Sequence, residues 1–246
     1  MVCLLCREEK PLLKKSHIIP DFMYKGLFGP EHKLIQINID NPKEKKTRYS
    51  GFYQGDILCS ECDSVLLSGL ETYASAAIFG RGNSKIQKSV RVESIVSHDG
   101  FRSERYHNLD YTKVKLFFLS IIWRAHISSQ PFFSGVDLGV YGEKIRKMLL
   151  AKDAGKEDEL ETCVVRIKPD ETMPYRSLVD FRKLENDGNS FYVFHMDNMM
   201  YHFNISPYRK ESIFEKGRVR KDGTMDVGLL GDRIAKGYFK SFLGRG

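Results

Sequence analysis

The chain has 246 residues, of which 41% are hydrophobic, 29% charged and 12% aromatic, and its formal net charge is +7. This length allows one large domain or two small ones, and the composition excludes a disordered or collagen-like chain. The longest apolar stretch, 116–123, is far short of the roughly 20 residues that cross a bilayer. The N-terminus lacks the basic and apolar regions of a secretory signal. We therefore expect a globular cytoplasmic protein with no membrane segment.

The N-terminal part contains two cysteine pairs, each with C-x-x-C spacing. Cys3 and Cys6 stand near the start, and Cys59 and Cys62 precede a run of apolar residues at near-helical spacing. This run predicts a helix over 60–78, ended by nearby glycines. The second cysteine pair is thus predicted to lie at the beginning of a helix.

Helical patterns dominate the middle of the chain. Asp110 is a suitable N-cap for a helix over 111–128, which is apolar on most sides and is therefore predicted to be central. A second helix is predicted over 141–152, with apolar residues on one face. Together these two helices predict the core of a second structural unit.

The last hundred residues change to the period of β-strands. Residues 162–167 alternate as in a strand, and two further apolar runs flank Asp197 and Asn198, a two-residue hairpin signal. A short helix is predicted over 231–243. The expected fold class is α+β, with a module over 1–80 followed by an α+β unit over 81–246.

The four paired cysteines predict a metal site. In a reducing compartment, closely spaced thiols usually bind metal instead of forming disulfides. Four thiolates suit a structural, tetrahedral Zn²⁺, although iron held by four thiolates remains an alternative. Cys163 stands alone in a strand pattern and is predicted to be a core residue. One C-x-x-C pair near the N-terminus, followed later by a second pair at the start of a helix, is the order found in a treble-clef zinc module.

The segment Ser16-His17-Ile18-Ile19-Pro20 lies between the two pairs. With these pairs, it resembles the zinc-stabilised branch of the HNH endonucleases over about the first 75 residues. The resemblance implies a metal-dependent nuclease that hydrolyses DNA, with a possible role in bacterial defence against foreign DNA. By position, it implies that His17 is the general base and that Asp63 is a candidate ligand of a catalytic Mg²⁺ or Mn²⁺.

The chain departs from the family pattern at several positions. Ser16 replaces a metal-binding Asp, and a neutral hydroxyl is a poorer ligand for a hard cation. Asp63 stands where the family often has His or Asn, and Glu71 lies two turns further along the predicted helix. The asparagine of the family has no clear counterpart, and the residues in the right interval are Asn38, Asn41 and His32.

Basic side chains are concentrated in two segments. Residues 79–150 hold 12 basic and 6 acidic residues (12 − 6 = +6), and residues 208–246 hold 10 and 5 (10 − 5 = +5). Such a run can contact the phosphate backbone without reading sequence, although a solvated face is the more common outcome. The candidate nucleic-acid contacts are Arg209, Lys210, Arg218, Arg220 and Lys221.

The sequence therefore predicts one of two function classes. The first is an HNH-like endonuclease that acts on DNA, with structural zinc and His17 and Asp63 as catalytic residues. The alternative is a non-catalytic, zinc-stabilised protein that binds nucleic acid or a protein partner, with a degenerate nuclease site. The two differ in whether His17 and Asp63 converge on one solvent-accessible point.

Overall fold

A computed structural model describes residues 1–28, 31, 33–37, 45–98, 100–167, 177–186, 188–206 and 213–231. Within these ranges the fold is α+β, as expected, with helices and a large mixed sheet. No helix among the described residues is long and apolar enough to cross a membrane. Asn38, Asn41, His32, Arg209, Lys210 and nearly all of the predicted helix over 231–243 lie outside the described residues.

The helices predicted over 60–78, 111–128 and 141–152 are present, and two short helices that were not predicted occur as well. They are α1 (Ser68–Ala77), α2 (Ser84–Ser89), α3 (Tyr111–Ile127), α4 (Val140–Ala151) and α5 (Ile213–Gly217). The predicted helix over 60–78 is present in two parts, because a π-helical segment, Glu61–Leu67, precedes α1. Two short 3₁₀ helices occur at Asp21–Tyr24 and Pro131–Phe133.

Helix α3 is the centre of the hydrophobic core. Its N-cap is Asp110, whose side chain accepts a hydrogen bond from the backbone N–H of Lys113, as predicted. Every residue over 114–125 is buried, so the helix is enclosed on all sides. Helices α1 and α4 pack against it from different parts of the sequence. Side chains of α3 therefore face both N-terminal and C-terminal segments.

The strands are β1 (Ser16–His17), β2 (Leu34–Ile37), β3 (Lys45–Arg48), β4 (Tyr53–Gln54), β5 (Arg91–Val96), β6 (Arg102–His107), β7 (Thr162–Ile167), β8 (Ser177–Asn186), β9 (Asn189–Met196), β10 (Met199–Asn204) and β11 (Met225–Leu230). The hairpin of β9 and β10 across Asp197 and Asn198 is confirmed, and Asp197 has a φ of 59° at the turn. Strand β5 begins two residues after the helical segment over 84–89 ends.

Nine of the described strands form one mixed sheet in the order β3-β2-β8-β9-β10-β7-β11-β6-β5. Most neighbours are antiparallel, whereas β2 pairs parallel to β8 and β7 pairs parallel to β11. Strands β1 and β4 form a separate two-stranded sheet. Strands β2 and β3, from the predicted N-terminal module, thus extend the sheet that the C-terminal strands build.

Candidate metal centre and adjoining polar site

Each cysteine pair is held by local backbone geometry. The first forms a tight turn, in which the N–H of Arg7 donates to the Cys3 carbonyl (2.9 Å) and Arg7 has a φ of 65°. In the second pair, Cys59 bridges Leu12 in a short antiparallel contact, and Cys62 lies in the π-helical segment. Two distant parts of the sequence are thereby brought together.

The four thiols form one compact cluster. The Sγ atoms of Cys3, Cys6, Cys59 and Cys62 all lie within 4.8 Å of one another, and every side chain except the half-buried Cys6 is buried. A tetrahedral zinc with bonds of about 2.3 Å requires sulfur atoms roughly 4 Å apart. The cluster can therefore hold a metal ion such as zinc, with four sulfur ligands and no open position.

The four thiols of this cluster differ in how readily they ionise. Burial opposes ionisation of Cys3, but backbone N–H groups of Cys59, Cys6 and Leu5 outweigh it and lower its pKa to about 7. Burial and the neighbouring thiols raise the pKa of Cys62 far above its ordinary value. A bound cation would favour the thiolate form of all four, because thiolates are the metal-binding form.

Cys163 is a core residue, as the sequence predicts. It lies on β7 and is 5% exposed, and burial raises the pKa of its thiol to about 12. Its cross-strand partner on β10 is His202. It does not belong to the four-cysteine cluster.

His17 is accessible to solvent. It ends strand β1, pairs with Tyr53 on β4, and has 37% of its side chain exposed. Its Nε2 atom is 3.7 Å from Asp21 Oδ1, and its ring lies edge-on to Tyr53 with centroids 6.2 Å apart. The imidazole is therefore not sealed in the core, and an incoming molecule can reach it.

Asp63 lies in the same electrostatic neighbourhood as His17. Burial is the largest influence and raises the pKa of the Asp63 carboxyl, while Arg124 and His17 oppose this rise and Glu71 adds to it. The Ser16 hydroxyl is close enough to lower the pKa of Asp63 slightly. Ser16 Oγ is nevertheless fully buried and makes no hydrogen bond of good geometry with the described residues.

The π-helical segment contributes to this placement. Cys62 and Asp63 are consecutive in a segment with a wider turn than an α-helix, and such segments often occur at functional sites. Because Cys62 faces the thiol cluster, its neighbour Asp63 is fixed directly beside it. The cysteine cluster and Asp63 are thus parts of one local structure.

Glu71 is engaged in an ion pair. Its Oε1 atom accepts a hydrogen bond of 2.7 Å from Arg124, which is 1% exposed. In this salt bridge the arginine is buried and the carboxylate is half-buried. Among the described residues, no group of three or more metal-ligating side chains other than the four cysteines is close enough to hold one ion. His17, Asp63 and Glu71 are therefore neighbours without being a complete set of ligands.

The described part of the basic run is largely engaged in intramolecular contacts. Arg218 pairs with the buried Glu161 (2.6 Å), and Arg220 pairs with Asp226 (3.3 Å). Lys221 is exposed. The structure therefore places these three side chains in different environments, and only Lys221 presents its side chain fully to solvent.

Two exposed side chains beside His17 had no role in the sequence analysis. The Lys15 ammonium lies 4.0 Å from the centre of the Tyr53 ring, and both side chains are exposed. The sequence offered one signal for them, since Lys15 alternates with His17 along a strand and so faces the same side. Tyr53 joins them only through the pairing of β1 with β4.

Comparison with protein-family models, with curated proteins and with solved structures finds no match. The resemblance to HNH endonucleases therefore rests on the sequence motifs alone. Any argument for function has to come from the site itself.

Proposed function

We propose that this protein is a metal-dependent nuclease of the HNH type that hydrolyses DNA phosphodiester bonds. In this proposal the four cysteines hold a structural zinc in a treble-clef module, and the polar site beside them is catalytic. The expected role in defence against foreign DNA is part of the same proposal and rests on the resemblance alone. No separate structural feature supports it.

The observation that carries the proposal is the position of His17 relative to Asp63. His17 is accessible to solvent, and it lies close enough to the half-buried Asp63 carboxyl to affect the pKa of that carboxyl. Asp63 is fixed by the π-helical segment that also carries Cys62, and His17 is fixed by the pairing of β1 with β4. A site of this kind has an imidazole available for proton transfer beside an oxygen ligand for a hard cation.

Each residue has a defined role in the proposed reaction. The His17 imidazole removes a proton from the attacking water, and Asp63 supplies a carboxylate oxygen toward Mg²⁺ or Mn²⁺. A bound divalent ion would supply charge stabilisation at the scissile phosphate. Mg²⁺ is commonly held by one or two carboxylates, with substrate phosphate and water as the other ligands. The Asp63 carboxylate could serve in this mode.

The side chains around His17 suit a nucleic-acid substrate. Lys15 offers an exposed ammonium for a backbone phosphate, and Tyr53 offers an exposed aromatic ring beside it. Positive charge gives sequence-independent affinity for nucleic acid, and aromatic rings stack on unpaired bases. Lys221 and the other residues of the C-terminal basic run remain proposed phosphate contacts, with Arg218 and Arg220 first having to leave their intramolecular partners.

Cleavage of plasmid and single-stranded DNA by the zinc-loaded protein tests the proposal, with Mg²⁺, Mn²⁺ or Ni²⁺ added. His17→Gln should lower the cleavage rate at least about 100-fold, the usual minimum for loss of a general base. His98→Gln is the matched control, because His98 is exposed and distant in sequence from the site. Loss of activity in both variants, or in neither, would contradict the role of His17.

A second candidate function is favoured by Ser16. The residue that precedes His17 is a fully buried hydroxyl in place of a carboxylate, and no second three-ligand group occurs among the described residues. These features suit a zinc-stabilised protein that binds nucleic acid or a protein partner without cleaving it. DNA binding by wild-type protein, with no cleavage in any of the three metals, would favour this alternative.

A further inference from the structure

Arg124 is a buried cation in the middle of the hydrophobic core. It lies near the C-terminal end of α3 and is 1% exposed, although arginine side chains are almost never fully buried unless they are paired. Removing a guanidinium from water is costly, so its partners must offset that cost. Those partners identify what the residue holds in place.

The guanidinium connects three separate segments of the chain. Its Nη1 atom donates to the His17 carbonyl (2.9 Å) and to Glu71 Oε1 (2.7 Å). Its Nε and Nη2 atoms donate to the carbonyl and the hydroxyl of Ser120, one turn earlier on α3. The side chain is therefore fixed on its own helix at one end and fixes β1 and α1 at the other.

These contacts bear directly on the polar site. The His17 carbonyl belongs to the residue whose imidazole is the proposed base, and Glu71 is on the helix that continues from the segment holding Asp63. Arg124 is also the first of the nearby cations that act on the Asp63 carboxyl. One buried side chain thus ties β1, which carries His17, to the helix that continues from the segment holding Asp63.

We infer that Arg124 is a positioning residue of the proposed nuclease site, so that helix α3 completes a site whose other residues come from the first 80 positions. The inference rests on the proposed function. Arg124 does not touch the substrate, since it is buried. It acts by holding the backbone of His17 at a fixed position relative to α1.

The chemistry of the side chain explains why arginine is required. A guanidinium presents several donors in a rigid, planar fork, whereas lysine presents one compact ammonium on a flexible chain. Arg124→Lys keeps the positive charge beside Glu71 but cannot reproduce the contacts with both His17 and Ser120. This variant separates the geometry of the contact from its charge.

The test compares Arg124→Lys and Arg124→Gln with wild-type protein in the DNA cleavage assay, all loaded with zinc. Arg166→Gln is the matched control, because Arg166 forms an ion pair with Glu104 and a hydrogen bond with Tyr106 between strands of the large sheet. We expect kcat to fall about tenfold or more in Arg124→Lys, with a smaller change in KM, because small displacements of a catalytic group cost far more rate than binding. Arg166→Gln should keep the wild-type kcat at temperatures where it is folded.

A spectroscopic measurement tests the same inference without activity. In protein labelled with ¹⁵N histidine, the His17 ring signals, assigned through His17→Gln, should shift in Arg124→Lys and not in Arg166→Gln. A purely structural role predicts a lower unfolding temperature with unchanged kcat and unchanged His17 signals, and that result would overturn the inference. Wild-type protein that holds zinc but cleaves no DNA would instead overturn the proposed function, and the positioning role with it.

Discussion

The backbone N–H of Cys59 donates a hydrogen bond to Cys3 Sγ at 3.4 Å, across 56 positions of sequence. This contact joins the two cysteine pairs and also lowers the pKa of Cys3. Backbone N–H groups therefore help to stabilise the thiolate form of Cys3, which is the form that binds a metal ion. Folding of the N-terminal segment and metal binding are therefore expected to be coupled.

Loss of one cluster thiol should reduce both metal content and stability. We expect about one zinc per chain in wild-type protein and much less in Cys62→Ser, because a structural zinc site needs all four ligands. A loss of about 3 kcal/mol would lower the unfolding midpoint by roughly 10 °C for a chain of this size. Elemental analysis and thermal unfolding measure the two effects. Cys163→Ala is the control and should keep its zinc, and equal zinc content in both variants would contradict the assignment.

Neutralising Asp63 should slow metal-dependent cleavage strongly without loss of zinc. Asp63→Asn removes the carboxylate charge proposed to attract a hard divalent cation, so we expect the cleavage rate to fall about 100-fold, as for other single electrostatic contributions to catalysis. Glu61→Gln is the matched control, since Glu61 is exposed on the same π-helical segment. Cleavage rates at several Mg²⁺ concentrations measure the effect. Equal activity of the two variants would exclude Asp63 as the metal ligand.

Removing the Lys15 ammonium should weaken DNA binding in a salt-dependent way. Lys15→Ala is expected to lower affinity and to reduce the slope of log affinity against log salt by about 0.9, the value for one phosphate contact with duplex DNA. Lys85→Ala provides the comparison, because Lys85 is exposed on α2. Titrations of labelled DNA at several salt concentrations measure both slopes. A wild-type slope in Lys15→Ala would show that Lys15 makes no phosphate contact.

Two buried histidines on neighbouring strands should make the fold sensitive to acid. Burial lowers the pKa of His195 to about 3, despite a backbone hydrogen bond that raises it, and burial lowers the pKa of His202 to about 4. Between these values and the ordinary value near 6.5, the unfolded chain binds protons that the folded chain does not. The stability that depends on keeping these two histidines neutral is therefore fully present above pH 6.5. It is lost as the pH falls toward 4, by about 1.4 kcal/mol per pH unit for each histidine.

Urea unfolding between pH 7.5 and pH 5 measures this dependence. In His202→Gln the slope of stability against pH should be smaller than in wild-type protein, because one of the two titrating groups is gone. His98→Gln should keep the wild-type slope, since His98 is exposed. Identical slopes in all three proteins, at the same zinc loading, would show that His202 does not contribute to acid sensitivity.

Local patterns in the sequence correctly predicted several elements. The cap at Asp110, the hairpin at Asp197 and Asn198, and the helix after Cys59 all depend on residues within a few positions of one another. For that reason they can be identified without knowing the fold. The C-x-x-C spacing likewise indicated the cysteine cluster, because the two thiols of each pair are only three positions apart.

These local patterns could not predict which residues distant in sequence pair with one another. The parallel pairing of β2 with β8 links residues more than a hundred positions apart, and no local signal specifies it. The same holds for Arg218, a candidate nucleic-acid contact in the basic run, whose pairing with the buried Glu161 no local pattern indicates. A charge is available to a ligand only if the fold leaves it without a closer partner.

The sequence by itself determined the chemistry of this protein: four thiols at metal-binding spacing, an imidazole after Ser16, and a carboxylate after Cys62. The tertiary structure alone decided which of these groups are accessible and which are neighbours. It brings Arg124 from α3 to the backbone of His17 because burying a guanidinium requires acceptors, and the nearest ones belong to β1 and α1. The sequence supplies the reactive groups. Their arrangement follows from the fold, because a buried polar group must lie next to a hydrogen-bonding partner.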